Sequence, residues 1–112
     1  MKSTQERQDM QTGLQKEYLK TRPLCKVTFT FPEEAASGAK KVNLVGEFGD
    51  WEREALPMKR HRDGSFTVTV KLEKGRTYRF RYLVDDVRWV NDGYADGYER
   101  NPFGEDDSVV TV

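Results

Sequence analysis

The chain has 112 residues, of which 36% are hydrophobic, and its 19 basic and 19 acidic side chains give a formal net charge of zero. A chain of this length forms one domain with a modest core. The balanced charge supplies no net attraction for nucleic acid or an anionic membrane, and no apolar run has transmembrane length, so neither is expected as a partner.

Residues 1–22 are predicted to form an N-terminal arm. Met10, Leu14 and Tyr18 recur every four residues in a polar, proline-free stretch, which predicts one face of a short helix. Gly13 weakens such a helix by about 1 kcal/mol relative to alanine. We therefore expect an arm that is helical or partly disordered, and either a solvated arm or a partner-binding helix fits the pattern.

Residues 23–112 alternate apolar and polar side chains with a period of two, which predicts strands with one buried and one wet face. The apolar positions of this alternation should form the core: Val27, Phe29, Val42, Leu44, Phe66, Val68, Val70, Tyr78, Phe80, Tyr82 and Val110. Turn signals separate the runs, and Asp63-Gly64 predicts a tight hairpin. Six or seven short strands with no helix among them predict an all-β fold, an antiparallel β-sandwich.

Trp51 and Trp89 each follow a strand-like run inside a turn-rich, polar stretch. A flat apolar ring in a polar loop suits a sugar, whose C–H face is apolar and whose rim is hydroxyl. The alternative interpretations are structural. Trp51 would then cap the open end of the sandwich, and Trp89 would pack beneath the loop of residues 91–100.

The strand-rich part carries a recognisable order of motifs: Gly46-x-Phe48-x-x-Trp51, Pro57-Met58, Tyr78-x-Phe80-x-Tyr82-x-Val84-Asp85, Trp89 and Asn101-Pro102-Phe103-Gly104. In this order the chain resembles the glycogen- and starch-binding modules that include the glycogen-binding domain of the AMP-activated protein kinase β subunit. The N-terminal early set domains of isoamylases and glycogen branching enzymes belong to the same group. The resemblance implies an immunoglobulin-like sandwich over residues 23–112 and non-catalytic binding of an α-glucan such as glycogen, starch or a maltooligosaccharide.

The resemblance also implies a set of carbohydrate-binding residues: Trp51, Arg81, Trp89, Phe103 and Asp107. The chain departs from the family pattern at several of these places. Gly49 replaces an asparagine, Arg81 a lysine and Asp107 an asparagine, and the turn before Trp89 is one residue longer. A plain cross-strand ion pair remains an alternative for Arg81, and a core position remains one for Phe103.

No enzymatic activity, cofactor or metal is expected. His61 is the only histidine, so a nucleophile with a histidine base has no second candidate, and the acidic C-terminal third lacks the spacing of a calcium loop. Cys25 is the only cysteine, which excludes an intramolecular disulfide. Because the N-terminus lacks the apolar stretch of a signal peptide, a cytoplasmic protein is expected.

Two hypotheses for function remain open. The first is an α-glucan-binding module that acts alone or with a glycogen-metabolising enzyme or kinase in trans. The second is a protein-interaction adaptor domain that keeps the fold and has lost sugar binding. Exposure of Trp51 and Trp89 on one face favours the first hypothesis, and a buried Trp89 favours the second.

Overall fold

Two antiparallel sheets packed face to face account for most of the computed structural model, which describes residues 13–48 and 55–112. The elements in chain order are β1 (Gly13–Tyr18), β2 (Leu24–Phe31), α1 (Glu33–Ala36), β3 (Val42–Gly46), β4 (Leu56–Pro57), β5 (Lys59–Arg60), β6 (Phe66–Glu73), β7 (Thr77–Val84), β8 (Arg88–Val90), β9 (Gly97–Arg100) and β10 (Asp106–Thr111). The first sheet has the order β1-β2-β6-β5. The second has the order β4-β3-β7-β10-β9, with β8 also paired to β7. The predicted all-β sandwich is confirmed, and the described chain contains no helix long and apolar enough to cross a bilayer.

The core lies between the sheets and is rich in aromatic rings. Phe29 of β2 packs edge-on against Phe80 of β7 with ring centroids 5.0 Å apart, and Phe80 meets Tyr82 at 5.7 Å. All three side chains are fully buried. The predicted core residues are confirmed as buried, except that Val68 and Val70 of β6 are only half-buried.

The prediction of a helical arm is wrong for residues 13–18, which form strand β1. This strand runs antiparallel to β2, with Leu14 opposite Phe29 and Tyr18 opposite Cys25. The spacing of four between Leu14 and Tyr18 also satisfies a period of two, and hydrogen bonding to the edge of β2 decides between the two structures. Met10 and the rest of the predicted helix lie outside the described residues.

Lys16 connects β1 to the second sheet. Its Nζ donates to Oδ2 of Asp96 at 2.7 Å and to the carbonyl of Thr111 at 2.9 Å. Since Thr111 belongs to β10, this lysine joins the two sheets along one side of the sandwich. The six residues of β1 are therefore part of the sandwich, and its boundary lies before the predicted residue 23.

The turns between strands agree with the sequence signals in most places. The Asp63-Gly64 turn lies between β5 and β6, where Lys59 pairs with Thr67 and the His61 N–H donates to the Ser65 carbonyl. Between β2 and β3, where the sequence predicts no helix, the chain forms the single-turn helix α1. One turn of helix is short enough to leave the all-β architecture unchanged.

Phe80→Ala should lower the free energy of unfolding by about 3–5 kcal/mol, because it deletes a ring from the closed aromatic core. Phe103→Ala is the matched control, since the Phe103 side chain is 87% exposed and its removal should change the free energy of unfolding by less than about 0.5 kcal/mol. Urea unfolding followed by circular dichroism measures both. Equal stabilities for the two variants would contradict the assignment of the core.

Candidate functional site

The outer face of the second sheet is set by the alternation of strand β7. Tyr78, Phe80 and Tyr82 point into the core, so Arg79 and Arg81 project from the opposite face. Neighbouring strands bring further side chains to this outer face. Val109 of β10 pairs with Arg79, which puts Asp107 on the same face, and Trp89 of β8 pairs with Leu83.

An open cavity of about 380 Å³ lies on this face. Four of the five predicted site residues line it, namely Arg81, Trp89, Phe103 and Asp107. The fifth, Trp51, lies outside the described residues. The structure adds four lining residues to the predicted set: Glu47, Arg79, Asn101 and Pro102.

The two aromatic rings of the cavity are at the surface. Trp89 is 44% exposed and Phe103 is 87% exposed. The core interpretation of Phe103 is therefore wrong, and Trp89 is not enclosed beneath the loop that follows it. Two exposed rings beside one cavity provide apolar surface for a flat ligand.

Arg81 is held in place by three neighbours. Its guanidinium lies over the Trp89 ring, with Cζ 5.3 Å from the ring centroid, and its Nη1 donates to Oε1 of Glu105 at 2.9 Å. Its Nε is 3.2 Å from Oδ1 of Asp107, an ion-pair distance, although the two atoms are not aligned for a hydrogen bond. These contacts fix the orientation of the guanidinium and place it against the indole face.

Asp107 forms the floor of the cavity, because its side chain is only 5% exposed. Oδ1 accepts a hydrogen bond from Nδ2 of Asn101 at 3.2 Å, and Oδ2 lies 3.9 Å from Nη1 of Arg79. The carboxylate thus lies between two guanidinium groups, and their charges offset the cost of burying it. Asp107 lines the cavity, but only a small part of its side chain is open to a ligand.

The loop that presents Phe103 is organised by Asn101. The Asn101 side chain is buried, and its Oδ1 accepts the backbone N–H groups of Phe103 at 2.9 Å and Glu105 at 3.1 Å. Gly104 has a φ of +83°, in the left-handed region that glycine adopts without strain. The tight turn directs the Phe103 ring outward and brings Glu105 to Arg81.

The longer turn between β7 and β8 determines where Trp89 lies. Asp85 and Asp86 have φ values of +52° and +63°, which aspartate tolerates better than most residues. Oδ1 of Asp85 accepts the backbone N–H groups of Lys40 at 2.9 Å and Lys41 at 3.0 Å. The turn is therefore tied to the chain just before β3, which holds β8 and its tryptophan on the edge of the sheet.

Arg79, Glu47 and Asn101 were not among the predicted site residues. The period of two along β7 was a sufficient signal for Arg79, because it places this side chain on the face that carries Arg81. Glu47 accepts the backbone N–H of Arg79 through Oε1 at 2.9 Å, a contact that depends on the pairing of distant segments. The sequence before Gly104 predicts a turn at Asn101. It does not predict the hydrogen bond from Asn101 to Asp107, which depends on the folded structure.

The structure defines the class of the protein as a small antiparallel two-sheet β-sandwich with exposed aromatic rings on one outer face. The chain belongs to a glycogen-recognition family. Residues 26–106 match the family described as the glycogen recognition site of AMP-activated protein kinase. This family consists of carbohydrate-binding modules and is non-catalytic. The match confirms the resemblance that the sequence motifs indicate.

Individual relatives share part of their length with this chain. Proteins of Saccharomyces cerevisiae strains RM11-1a and JAY291 named cruciform DNA-recognizing protein 1 are 35% identical over 92 residues, which cover 75% of this chain and 19% of theirs. This chain thus spans about a fifth of the length of these relatives.

Solved structures of two enzymes contain a similar domain. The enterobactin esterase of Shigella flexneri has a TM-score of 0.71 at 12% identity, over 96% of this chain and 34% of that one. A pullulanase from Anoxybacillus sp. LM18-11, solved with maltotetraose, has a TM-score of 0.59 at 24% identity, over 88% of this chain and 14% of that one. At these identities the likeness shows the fold alone.

Asp107→Ala should destabilise the domain by about 3 kcal/mol or more, because it leaves the largely buried Arg81 without its buried counter-ion. Glu105→Ala is the control for the same guanidinium. The Glu105 side chain is 65% exposed, so its loss should cost less than about 1 kcal/mol. Chemical denaturation of both variants tests the difference, and a larger loss of stability in Glu105→Ala would contradict the assignment of Asp107 as the floor of the cavity.

Proposed function

We propose that this domain binds neutral α-glucan chains on the outer face of the second sheet, with Trp89 and Phe103 as stacking surfaces. The observation that supports this most directly is the pair of exposed rings on one cavity, with the Arg81 guanidinium fixed against the Trp89 indole. Membership of a glycogen-recognition family supports the same ligand class. We call the surface formed by Trp89, Phe103 and Arg81 the platform, and we include Trp51 in it because of its place in the sequence motif.

The aromatic rings account for most of the proposed binding energy. A pyranose that stacks on one ring buries on the order of 100 Å², which corresponds to a gross gain of about 2–3 kcal/mol. Two such contacts, less the cost of association, give a Kd on the order of 10 μM to 1 mM for a short oligosaccharide. A long polymer offers many overlapping sites and is retained more tightly.

Polar groups around the rings provide orientation. Glu105 and Asp107 engage Nη1 and Nε of Arg81, which leaves N–H groups of the same guanidinium to donate to sugar hydroxyls. Glu47 lines the cavity and provides acceptors. Exposed hydroxyls already bond to water, so these contacts select the position of a sugar more than they add affinity.

The charges of the platform favour a neutral ligand over a phosphate-bearing one. Arg79 donates from Nε to Oε1 of Glu99 at 3.0 Å, and Arg81 is engaged by Glu105 and Asp107. Three carboxylates therefore already neutralise the two arginines. A nucleic acid needs basic groups that are free to replace its counterions, and the net charge of zero gives no long-range attraction for it.

The alternative function is a protein-interaction domain that keeps the fold and has lost sugar binding. The observation in its favour is that both arginines of the cavity already bind carboxylates of the same chain, which reduces the number of donors for hydroxyls. A glycogen-metabolising enzyme or a kinase in trans is a proposed partner under either function.

Trp89→Ala should weaken maltoheptaose binding by about 1–3 kcal/mol, which is roughly a 5- to 150-fold rise in Kd, because it removes one stacking surface. Isothermal titration calorimetry measures the change. Tyr18→Ala is the matched control, because Tyr18 is a half-exposed ring on β1 that does not line the cavity, and it should leave the Kd unchanged.

Cellohexaose and a four-way DNA junction serve as competing ligands in the same experiment. The flat β-1,4 chain of cellohexaose should bind poorly, because its glucose rings follow one another in a different orientation from those of the coiled α-1,4 chain. The DNA junction should bind no better than a duplex of equal length. Failure of maltoheptaose to bind the wild-type domain at millimolar concentration, or tighter binding of the junction, would rule out the proposal.

A further inference from the structure

A second cavity, of about 410 Å³, opens at the end of the sandwich between helix α1 and the turn that follows β8. It shares no lining residue with the platform, so it is a separate place on the molecule. The buried rings of Phe31 and Tyr82 and the side chains of Pro32 and Ala35 provide an apolar lining. Tyr94, which is 63% exposed, stands beside the opening.

A buried carboxylate belongs to the lining of this cavity. Asp92 is 3% exposed; its Oδ2 accepts the Tyr82 hydroxyl at 2.6 Å and its Oδ1 accepts the Tyr94 backbone N–H at 2.7 Å. Each oxygen thus receives one hydrogen bond and has the capacity to accept another. Burial raises the pKa of the Asp92 carboxyl above its ordinary value, and the nearby charge of Asp96 acts in the same direction, while the two hydrogen bonds oppose the shift.

The cavity has a negative lining with no basic group in it. Its charged lining residues are Asp92 and Glu34, and within the described ranges neither forms an ion pair. Buried charges in proteins are normally paired, because removing a lone charge from water is costly. The platform on the other face follows this rule, since Asp107 lies between two arginines. Asp92 departs from it and borders an open space.

We propose that this cavity binds the side chain of a lysine from a protein partner, with the aliphatic stem against Phe31, Pro32 and Tyr94 and the ammonium group at Asp92. Charge complementarity selects a cation, and the apolar lining selects one carried on a hydrocarbon stem. A lysine fits better than an arginine, because each oxygen of Asp92 already accepts one hydrogen bond. The carboxylate can therefore accept from a compact ammonium group more easily than it can accept two parallel hydrogen bonds from a planar guanidinium.

The probe is Nα-acetyl-lysine N-methylamide, added to the intact chain while backbone amide shifts are recorded by NMR at constant ionic strength. Gly93, Tyr94 and Ala35 should shift with a Kd on the order of 1–10 mM, as expected for one side chain. The same compound acetylated at Nε keeps the stem and loses the charge, and it should bind at least about fivefold more weakly.

Asp92→Asn is the decisive variant. The asparagine can accept from the Tyr94 N–H and donate to the Tyr82 hydroxyl, so the turn is preserved while the charge is removed. The Kd for capped lysine should rise at least about fivefold. Glu34→Gln should raise the Kd less than about twofold, because Glu34 is exposed and its charge is screened by water and salt.

The Asp92 carboxyl of the wild-type protein provides a readout that needs no variant. A bound cation stabilises the charged form, so capped lysine should lower the pKa of Asp92, measured from its carboxyl carbon shift. Equivalently, the affinity should rise as the pH increases through that pKa and fall as the carboxyl becomes protonated, since the protonated form no longer attracts the ammonium.

Several results would overturn the proposal. Equal binding of the two lysine compounds would show a purely apolar cavity, and an unchanged Asp92 pKa would show that the ammonium does not reach the carboxylate. Unaltered affinity of Asp92→Asn for capped lysine would show that the charge of Asp92 does not contribute to binding. Shifts of Gly93 and Tyr94 with maltoheptaose instead of capped lysine would identify a glucan subsite, and no shift with either compound would show that the cavity binds neither.

Discussion

Strand β7 is the constraint on which both the core and the platform depend. Residues 78–82 of this strand alternate between aromatic side chains that fill the sandwich and arginines that face outward. A slip of one residue in its pairing would put Phe80 in water and Arg81 in the core, so the hydrophobic effect sets the register very strongly. The same register places Arg81 opposite Val45 of β3 and Arg79 opposite Val109 of β10. Burial of the rings thereby determines the position of the charges on the other face.

The carboxylates on the two sides of β7 differ in whether they have a cationic partner. On the outer face, guanidinium and carboxylate groups compensate each other, and Asp107 is buried at low cost because Arg79 and Arg81 lie on either side. At the inner end of the strand, the Tyr82 hydroxyl donates to Asp92, which has no cation among the described residues. Burial raises the pKa of Tyr82 well above its ordinary range, so it remains a donor. The carboxylates that contact Arg79 and Arg81 on the outer face thus have cationic partners, which suits a neutral ligand, while Asp92 has none among the described residues.

The sequence was sufficient to predict those parts of the structure that depend on the alternation of apolar and polar residues along one strand. Phe29 and Phe80 belong to long alternating runs, and their burial follows from the pleat of a strand. Strand β1 was missed because Leu14 and Tyr18 fit a helix and a strand equally well, and the choice depends on the free edge of β2, a tertiary partner. The spacing of apolar residues contains no information about which edge is free.

The candidate site was predictable in its exposed members and less so in its buried ones. Trp89 was identified as a ring in a polar turn, and Phe103 and Arg81 from their places in the family motif. The burial of Asp107 was not predictable from its neighbours in the chain, because Arg79, Arg81 and Asn101 reach it from other segments. The same holds for Asp92, whose burial depends on Tyr82. Long-range pairing, rather than composition, decides whether an acidic residue near a strand end faces water.

The central claim is that a glucan chain stacks on the outer face of the second sheet. Intermolecular NOEs between isotope-labelled domain and unlabelled maltoheptaose test it most directly, because they report proximity of protons and do not depend on a substitution. The account predicts NOEs from the sugar C–H protons to the indole of Trp89 and the ring of Phe103. NOEs confined to Tyr94, or to rings on the first sheet such as Tyr18, would contradict it.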